Sequence, residues 1–299
     1  SSLTGAKIGD HLVTCQRSNR VARGSGGRDP HGVLRELRLD YRPPLWPDSL
    51  FGHLVATAVP GVEEWREGAF RRTLRLPSGP GIVALTPHKD PYAAHVTCRL
   101  RLADEADVPA AVAACRWLLD LDADPEAIGA VLAADPPLSP LVAAAPGRRV
   151  PRTADAAEMA LRVVLGQQVT VTAAGTLAAR LAVAAGEPVE DPEGGLTRLF
   201  PTPAAIAAVD PAVLAMPASR RTSVLTLARA LAGGDVVLDA GTDPAAAIDG
   251  LAGLPGIGPW TRALIAMRAL GDPDAFAPTD LGVRLAARAA GLPATPAAL

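Results

Sequence analysis

Short segments in which apolar and polar residues alternate dominate the first half of the chain. From Leu37 the run LRLDY alternates, and the pattern recurs in FRRTLRL (Phe70 to Leu76) and in HVTCRLRL (His95 to Leu102), where Val96, Cys98, Leu100 and Leu102 share one face. Such alternation predicts half-buried strands. The run PSGPG (Pro77 to Gly81) supplies turn chemistry ahead of IVALT, so the strands are expected to pair in an antiparallel sheet. Helical spacing interrupts and follows them, in PDSLFGHLVATAV after Trp46 and in DVPAAVAACRWLLDL, whose Val108, Ala111, Val112, Cys115 and Leu119 fall on one side.

Beyond APGRRVPRT (Ala145 to Thr153) the strand signals largely stop, and this proline-flanked break reads as a domain boundary. Asp155 followed by Glu158 resembles a capping pair that opens a long helical stretch, with Gly166 as a break inside it. TPAAIAAVD, SRRTSVLTLARALAGG, DPAAAIDGLAGL and PWTRALIAMRALG continue the helical pattern, and in the last of these Trp260, Leu264, Met267 and Leu270 keep near-helical spacing. The expected organisation is a glycine- and arginine-rich leader or linker over residues 1–32, an antiparallel α+β domain over 33–147 and a helical domain over 148–299.

Composition narrows the function classes only a little. At 299 residues the chain can bury a real hydrophobic core in two or three domains. Its three cysteines, Cys15, Cys98 and Cys115, lie far apart in sequence without a C-x-x-C pair, which argues against a zinc site, an iron-sulfur cluster or a disulfide framework. A reduced, cytoplasmic protein is the simplest reading, with no apolar run long enough for a membrane span. The net charge is −2, and Lys7 and Lys89 are the only lysines, so no global basic field announces a nucleic-acid partner.

One stretch asks for a local explanation. LPGIGPW (Leu254 to Trp260) sets Gly256 and Gly258 between a helix ending near Leu254 and another starting at Pro259. Glycines there permit positive φ and remove side chains, so backbone amides could approach a phosphate closely without any lysine. The alternative is a tight turn between two packed helices. The run is not a dinucleotide fingerprint, because no strand precedes it and the third glycine is missing.

The segment LPGIGPWTRALIAMRALGDPDAFAPTDLGVR resembles the helix-hairpin-helix DNA glycosylase superfamily, most closely its 3-methyladenine DNA glycosylase II branch. LDLDADPEAI, LRVVLGQQVTVTAA, LFPTPAAIAAVD and LAMPASRR carry the likeness further, over roughly residues 34 to 299. The resemblance implies an α+β chain: an N-terminal antiparallel sheet with flanking helices, TATA-binding-protein-like, then an all-helical helix-hairpin-helix domain. It implies a monofunctional glycosylase that flips an alkylated base out of duplex DNA and hydrolyses its N-glycosidic bond in base excision repair. The alternative is a duplex-binding module without catalysis, or an inactive fragment.

The residues that the resemblance singles out each have a plainer reading beside the functional one. Asp280, in APTDLGVR, matches the catalytic aspartate and would also serve as a helix N-cap. Trp260 matches a wall of the base pocket or packs on its helix, and Leu264 replaces an aromatic of the archetype. Gln168 matches the residue that wedges into the duplex, where the archetype is apolar, and its plain reading is a solvated turn. Gly256, Ile257, Gly258 and Thr261 would hold the DNA backbone, helped by Arg220 and Arg221 ahead of a helix unless these are simply exposed. No lysine follows the hairpin, which leaves no amine for strand-nicking chemistry. No cofactor is required on this reading, no metal is held by side chains, and a monovalent cation could sit on hairpin carbonyls when DNA is bound. The partner is double-stranded DNA containing alkylated bases, bound by a monomer without a membrane. Against the family pattern the chain looks truncated after GLPATPAAL, which would remove part of one pocket wall.

Overall fold

The computed structural model describes residues 27–29, 32–90, 92–239 and 242–297. Most of the expected leader therefore lies outside the described residues, but Gly27–Asp29 within it forms a short strand, β1, against the start of β2. The sheet has six strands: β1, β2 (Gly32–Asp40), β3 (Glu63–Arg66), β4 (Ala69–Leu76), β5 (Gly79–Thr86) and β6 (His95–Leu102). Their spatial order is β1-β2-β6-β5-β4-β3 with every pair antiparallel, in a register that sets Leu37 and Leu85 opposite Cys98 and Phe70 opposite Leu85.

Helices α1 (Pro47–Ala56) and α2 (Val108–Leu118) bury their apolar stripes against this sheet. Leu50, Phe51 and Leu54 from α1 join Ala111, Cys115 and Leu118 from α2 over Phe70, Leu74, Val83, Leu85 and Cys98. Cys98 and Cys115, distant in sequence, meet here as free thiols. The Cys115 contact and burial together push the Cys98 thiol up, so it stays protonated.

Helices α3 (Pro125–Ala133) and α4 (Ser139–Ala144) follow, so the strands end well before the break read at residues 145–153. Asp124 caps α3 by accepting from Glu126 N and Ala127 N. The helical layer then comprises α5 (Ala156–Leu165), α6 (Val171–Ala185), α7 (Pro203–Ala207), α8 (Ala218–Gly233), α9 (Pro244–Ala252), α10 (Pro259–Ile265) and α11 (Leu281–Ala289). Leu161, Val164, Leu181, Ile206, Val224, Leu227, Leu251 and Ile265 make its core, which Val59 and Val62 of the α1–β3 connection also enter. A π turn (Ala266–Leu270) extends α10, so the helical spacing expected through Met267 and Leu270 is broken after Ile265. Among the described residues no helix is long and apolar enough to cross a membrane.

Strand β4 departs from the half-buried expectation, since every residue from Ala69 to Leu74 is buried, Arg71 and Arg72 included. Arg71 donates to the Asp191 carboxylate at 2.7 Å and to Glu64, tying the sheet to the α6–α7 connection. Arg72 lies between Glu63 (3.0 Å) and Glu158 of α5 (2.9 Å), and Arg162 of α5 bridges the same two carboxylates at 3.0 and 2.7 Å. Two positive and two negative groups thus leave water together at the junction of sheet and helices. Burial alone would raise the Glu63 carboxyl, but the Arg162 and Arg72 charges outweigh it and hold it below its ordinary value. Glu158 therefore does not close a capping box: Asp155 Oδ1 caps Glu158 N at 2.8 Å, while the Asp155 amide bonds Thr153 Oγ1 instead.

Candidate active site

The hairpin between α9 and α10 closes on Ile257, whose side chain is 5% exposed in the helical core and whose amide donates to Leu254 O at 3.2 Å. Gly256 has φ of 77°, and a Cβ there would fall 2.1 Å from Ser223 Oγ of α8. Both its conformation and its packing exclude a side chain. Gly258 is different. Its φ of −83° and ψ of 179° are extended backbone open to any residue, and a Cβ built on it would meet nothing within 4 Å. Of the two glycines that permit positive φ, only Gly256 adopts it. Nothing inside the fold demands glycine at 258, and the bare backbone there faces outward.

Asp280 is the N-cap of α11, with Oδ1 accepting from Val283 N at 3.1 Å. Its other oxygen, Oδ2, accepts from Trp260 Nε1 at 2.8 Å across a sequence separation of 20. Cap and site roles are therefore compatible: one oxygen organises the helix, while the other is fixed by the indole. Trp260 and Leu264 are both half-buried against the helical core, one turn apart on α10. The indole is oriented by packing on one side and by a carboxylate on the other.

The α5–α6 connection sits beside the hairpin. Gln168 there is exposed with φ of 57°, a left-handed conformation that glutamine rarely adopts. Its neighbour Gln167 turns inward, and its Nε2 donates to Gly256 O at 2.9 Å and to Thr261 Oγ1 at 2.8 Å. Sequence reasoning passed over Gln167 in favour of Gln168, although a doubled glutamine after a helix-ending glycine offers two amides of which one can be structural. Thr261 was expected to face the DNA backbone, yet its side chain is 2% exposed and spent on Gln167. Arg220 and Arg221 lie in the first turn of α8, not ahead of it. Arg220 Nη2 donates to Leu165 O at the end of α5 at 2.7 Å, so its charge is directed inward; Arg221 is half-buried.

Among the described residues no group of three histidine, cysteine or acidic side chains could hold a metal ion. The hairpin carbonyls of Leu254 and Gly256 already accept from Ile257 N and from Gln167 Nε2. A cation there would have only their second lone pairs. Farther in, His53 and Arg268 adjoin the buried charge network. Burial, Arg268 and Arg162 together lower the His53 imidazole to about 4, and its Nε2 is buried without a hydrogen-bond partner. Burial and Arg162 lower Arg268 to about 10, and its Nε donates to Pro151 O at 2.9 Å.

This geometry meets independent comparisons. Residues 36–155 match the family model described as the AlkA N-terminal domain. An Escherichia coli (strain K12) protein named DNA-3-methyladenine glycosylase 2 is 33% identical over 246 residues, covering 81% of this chain and 83% of that one. The chain belongs to the DNA-3-methyladenine glycosylase 2 family. A Mycobacterium tuberculosis protein named as a probable bifunctional transcriptional activator/DNA repair enzyme AlkA is 52% identical over 290 residues, 97% of this chain. The chain spans 58% of that relative's length. A 3-methyladenine DNA-glycosylase structure from Archaeoglobus fulgidus shares the fold with a TM-score of 0.70 at 20% identity, covering 84% of this chain and 85% of that one. The glycosylase 2 family thus supplies the frame in which the Trp260–Asp280 pair and the hairpin are read.

Proposed function

We propose that the chain carries the DNA-binding cleft and catalytic carboxylate of a monofunctional glycosylase that removes alkylated bases from double-stranded DNA, working as a monomer. The observation that carries this reading is the Trp260–Asp280 hydrogen bond at 2.8 Å, which sets a carboxylate beside an aromatic surface next to an exposed hairpin backbone. The bare Gly258 peptide supports a grip on phosphate through neutral amides, in a chain whose net charge is −2. The names of the E. coli and A. fulgidus proteins support this chemistry.

On this reading the damaged nucleotide leaves the stack and Gln168 takes its space. The bond from the sugar C1′ to the base nitrogen breaks with its electron pair going to the base, which is already electron-poor when alkylated. Positive charge gathers on C1′ and the ring oxygen, and the Asp280 carboxylate opposes it. Water then adds its oxygen to C1′ and loses a proton to the surrounding solvent, leaving an abasic sugar and a free, neutral base. Trp260 holds Asp280 in place and offers its face to a cationic purine.

Base release from methylated duplex, compared with undamaged duplex under single turnover, tests the proposal. A second measurement tests the monofunctional part: with no lysine after the hairpin, borohydride should trap no covalent adduct and strands should break only after alkali or heat. Trapping of an adduct would show that an amine of the chain attacks C1′. The plainer reading, a duplex-binding module in which Asp280 is only a cap, has the Val283 bond in its favour. Substitution of Asp280 separates the two.

A further inference from the structure

The α5–α6 connection, the hairpin and the start of α8 meet in a joint whose polar contacts are few and specific. Gln167 spends both hydrogens of one amide nitrogen across the joint, on Gly256 O at 2.9 Å and Thr261 Oγ1 at 2.8 Å. Arg220 closes it from below through Leu165 O at 2.7 Å. Ser223, one turn along α8, lies against Gly256 so closely that no Cβ fits between them. Directly after Gln167 the chain turns left-handed at Gln168, at a conformational cost that glutamine bears only where its surroundings dictate it. Thr170 then caps α6 through Ala173 N at 3.2 Å, which fixes the far side of the turn.

We infer that Gln167 is a positioning residue: its bidentate amide sets the wedge side chain of Gln168 at a fixed height over the hairpin, so that gripping the DNA backbone and entering the base stack become one event. The inference rests on the function proposed above, in which the hairpin holds a phosphate and Gln168 enters the duplex. A wedge can displace a base only if the backbone beside it is held while the wedge goes in. A turn anchored at one end alone would let Gln168 swing back under that load. The two bonds from Gln167 tie the turn to both ends of the hairpin, to Gly256 O and to Thr261 at the start of α10, on either side of the exposed Gly258 backbone. Gln168 itself donates nothing to this tie, and its exposed amide is left for the duplex.

The experiment places 2-aminopurine beside a tetrahydrofuran abasic analogue in a duplex and reads its unstacking by fluorescence as protein binds. The same preparations are titrated against a plain duplex and melted. Gln167→Ala and Thr261→Val each remove part of the tie, whereas Thr261→Ser keeps the hydroxyl acceptor. We expect Gln167→Ala to lower unstacking at saturating protein at least tenfold more than it lowers plain-duplex affinity. Thr261→Val should show a smaller loss of the same kind, and Thr261→Ser should restore it. Gln167→Ala combined with Gln168→Ala should unstack no worse than Gln168→Ala alone. Equal unstacking by Gln167→Ala and the unsubstituted chain would overturn the inference, and so would losses of unstacking and duplex affinity in equal proportion. If the unsubstituted chain binds duplex but never unstacks the reporter, the functional reading itself fails and takes the inference with it.

Discussion

Asp280→Asn separates the two roles of this side chain because the structure assigns them to different oxygens. Oδ1 accepts from Val283 N and Oδ2 from Trp260 Nε1, so both donors depend on acceptors that a carboxylate supplies together. Asparagine has one oxygen. If it stays on Val283, its amide nitrogen meets the indole N–H, donor against donor; if it turns, the same clash falls on Val283 N–H and the cap is lost. Either arrangement leaves one N–H donor without its acceptor, at about 1–3 kcal/mol. For a chain of this size each kcal/mol lowers Tm by about 2–4 °C, so the variant should remain folded with a modest drop.

The effect on chemistry is of another order. A unit positive charge about 4 Å from a carboxylate is stabilised by about 4 kcal/mol at an effective dielectric near 20, or about a thousandfold in rate. A helix cap changes the folded fraction but not the rate of molecules that are folded. Single-turnover base release from alkylated duplex, normalised to folded protein, should therefore fall by about 10² to 10³ while duplex affinity stays within a few fold. Near wild-type release from the variant of an active preparation would show that Asp280 acts only as a cap, and the charge argument would be wrong.

The two hairpin glycines should respond in opposite ways. Gly258→Ala should leave Tm within a few degrees yet weaken damaged and undamaged duplex alike, as read by titration, because its Cβ meets nothing in the fold but would meet a strand. Gly256→Ala should cost about 1–3 kcal/mol or more in denaturant unfolding, from a φ of 77° and the collision with Ser223. Glu158→Gln should lower stability by about 3–5 kcal/mol, because it leaves Arg72 and Arg162 with one carboxylate between them; a loss under about 1 kcal/mol would refute the pairing. His53 is held neutral down to about 4, so its contribution is present above its ordinary 6.5 and is lost as pH falls between those values. At about 1.4 kcal/mol per pH unit this reaches roughly 3 kcal/mol at most, and His53→Gln should flatten the stability profile in that window, while the contribution of Glu63, held below its ordinary 4.5, is fully present above that value and is lost only as pH falls below it.

The alternation in LRLDY and HVTCRLRL was legible because one face of β2 and β6 meets α1 and α2 and the other meets water. FRRTLRL misleads, because arginines at 71 and 72, adjacent and so on opposite faces of β4, each look solvent-directed when their carboxylate partners are scattered from residue 63 to 191. No local pattern reports a partner over a hundred positions away. In the site, the hairpin stood out by its two glycines, whereas Asp280 and Trp260 were singled out by the family resemblance of the segment that holds them. Gln167 could not be picked out, since its role depends on which of two adjacent amides turns inward. The inward amide goes together with a left-handed turn at Gln168, and glutamine carries no propensity signal for such a turn.

Helix α5 joins these two kinds of residue. Near its start Glu158, and one turn later Arg162, lock it to β3 and β4; at its end Leu165 O and then Gln167 lock it to α8 and the hairpin. At ten residues it spans about 15 Å. A switch would need two arrangements of comparable energy at one end, but each of the four network charges already lies within 3.0 Å of a partner of opposite sign. The helix is therefore a strut, and perturbing its two ends should have separable effects. Glu158→Gln should shift the unfolding midpoint and leave base release per folded molecule within about threefold, since the site end keeps all its bonds. Gln167→Ala should do the reverse, with a shift of no more than about 1–2 kcal/mol for the lost hydrogen bonds and a large loss in unstacking. If Glu158→Gln slowed base release tenfold at full folding, the strut would be transmitting motion, and stability and site geometry would not be separable in this helix.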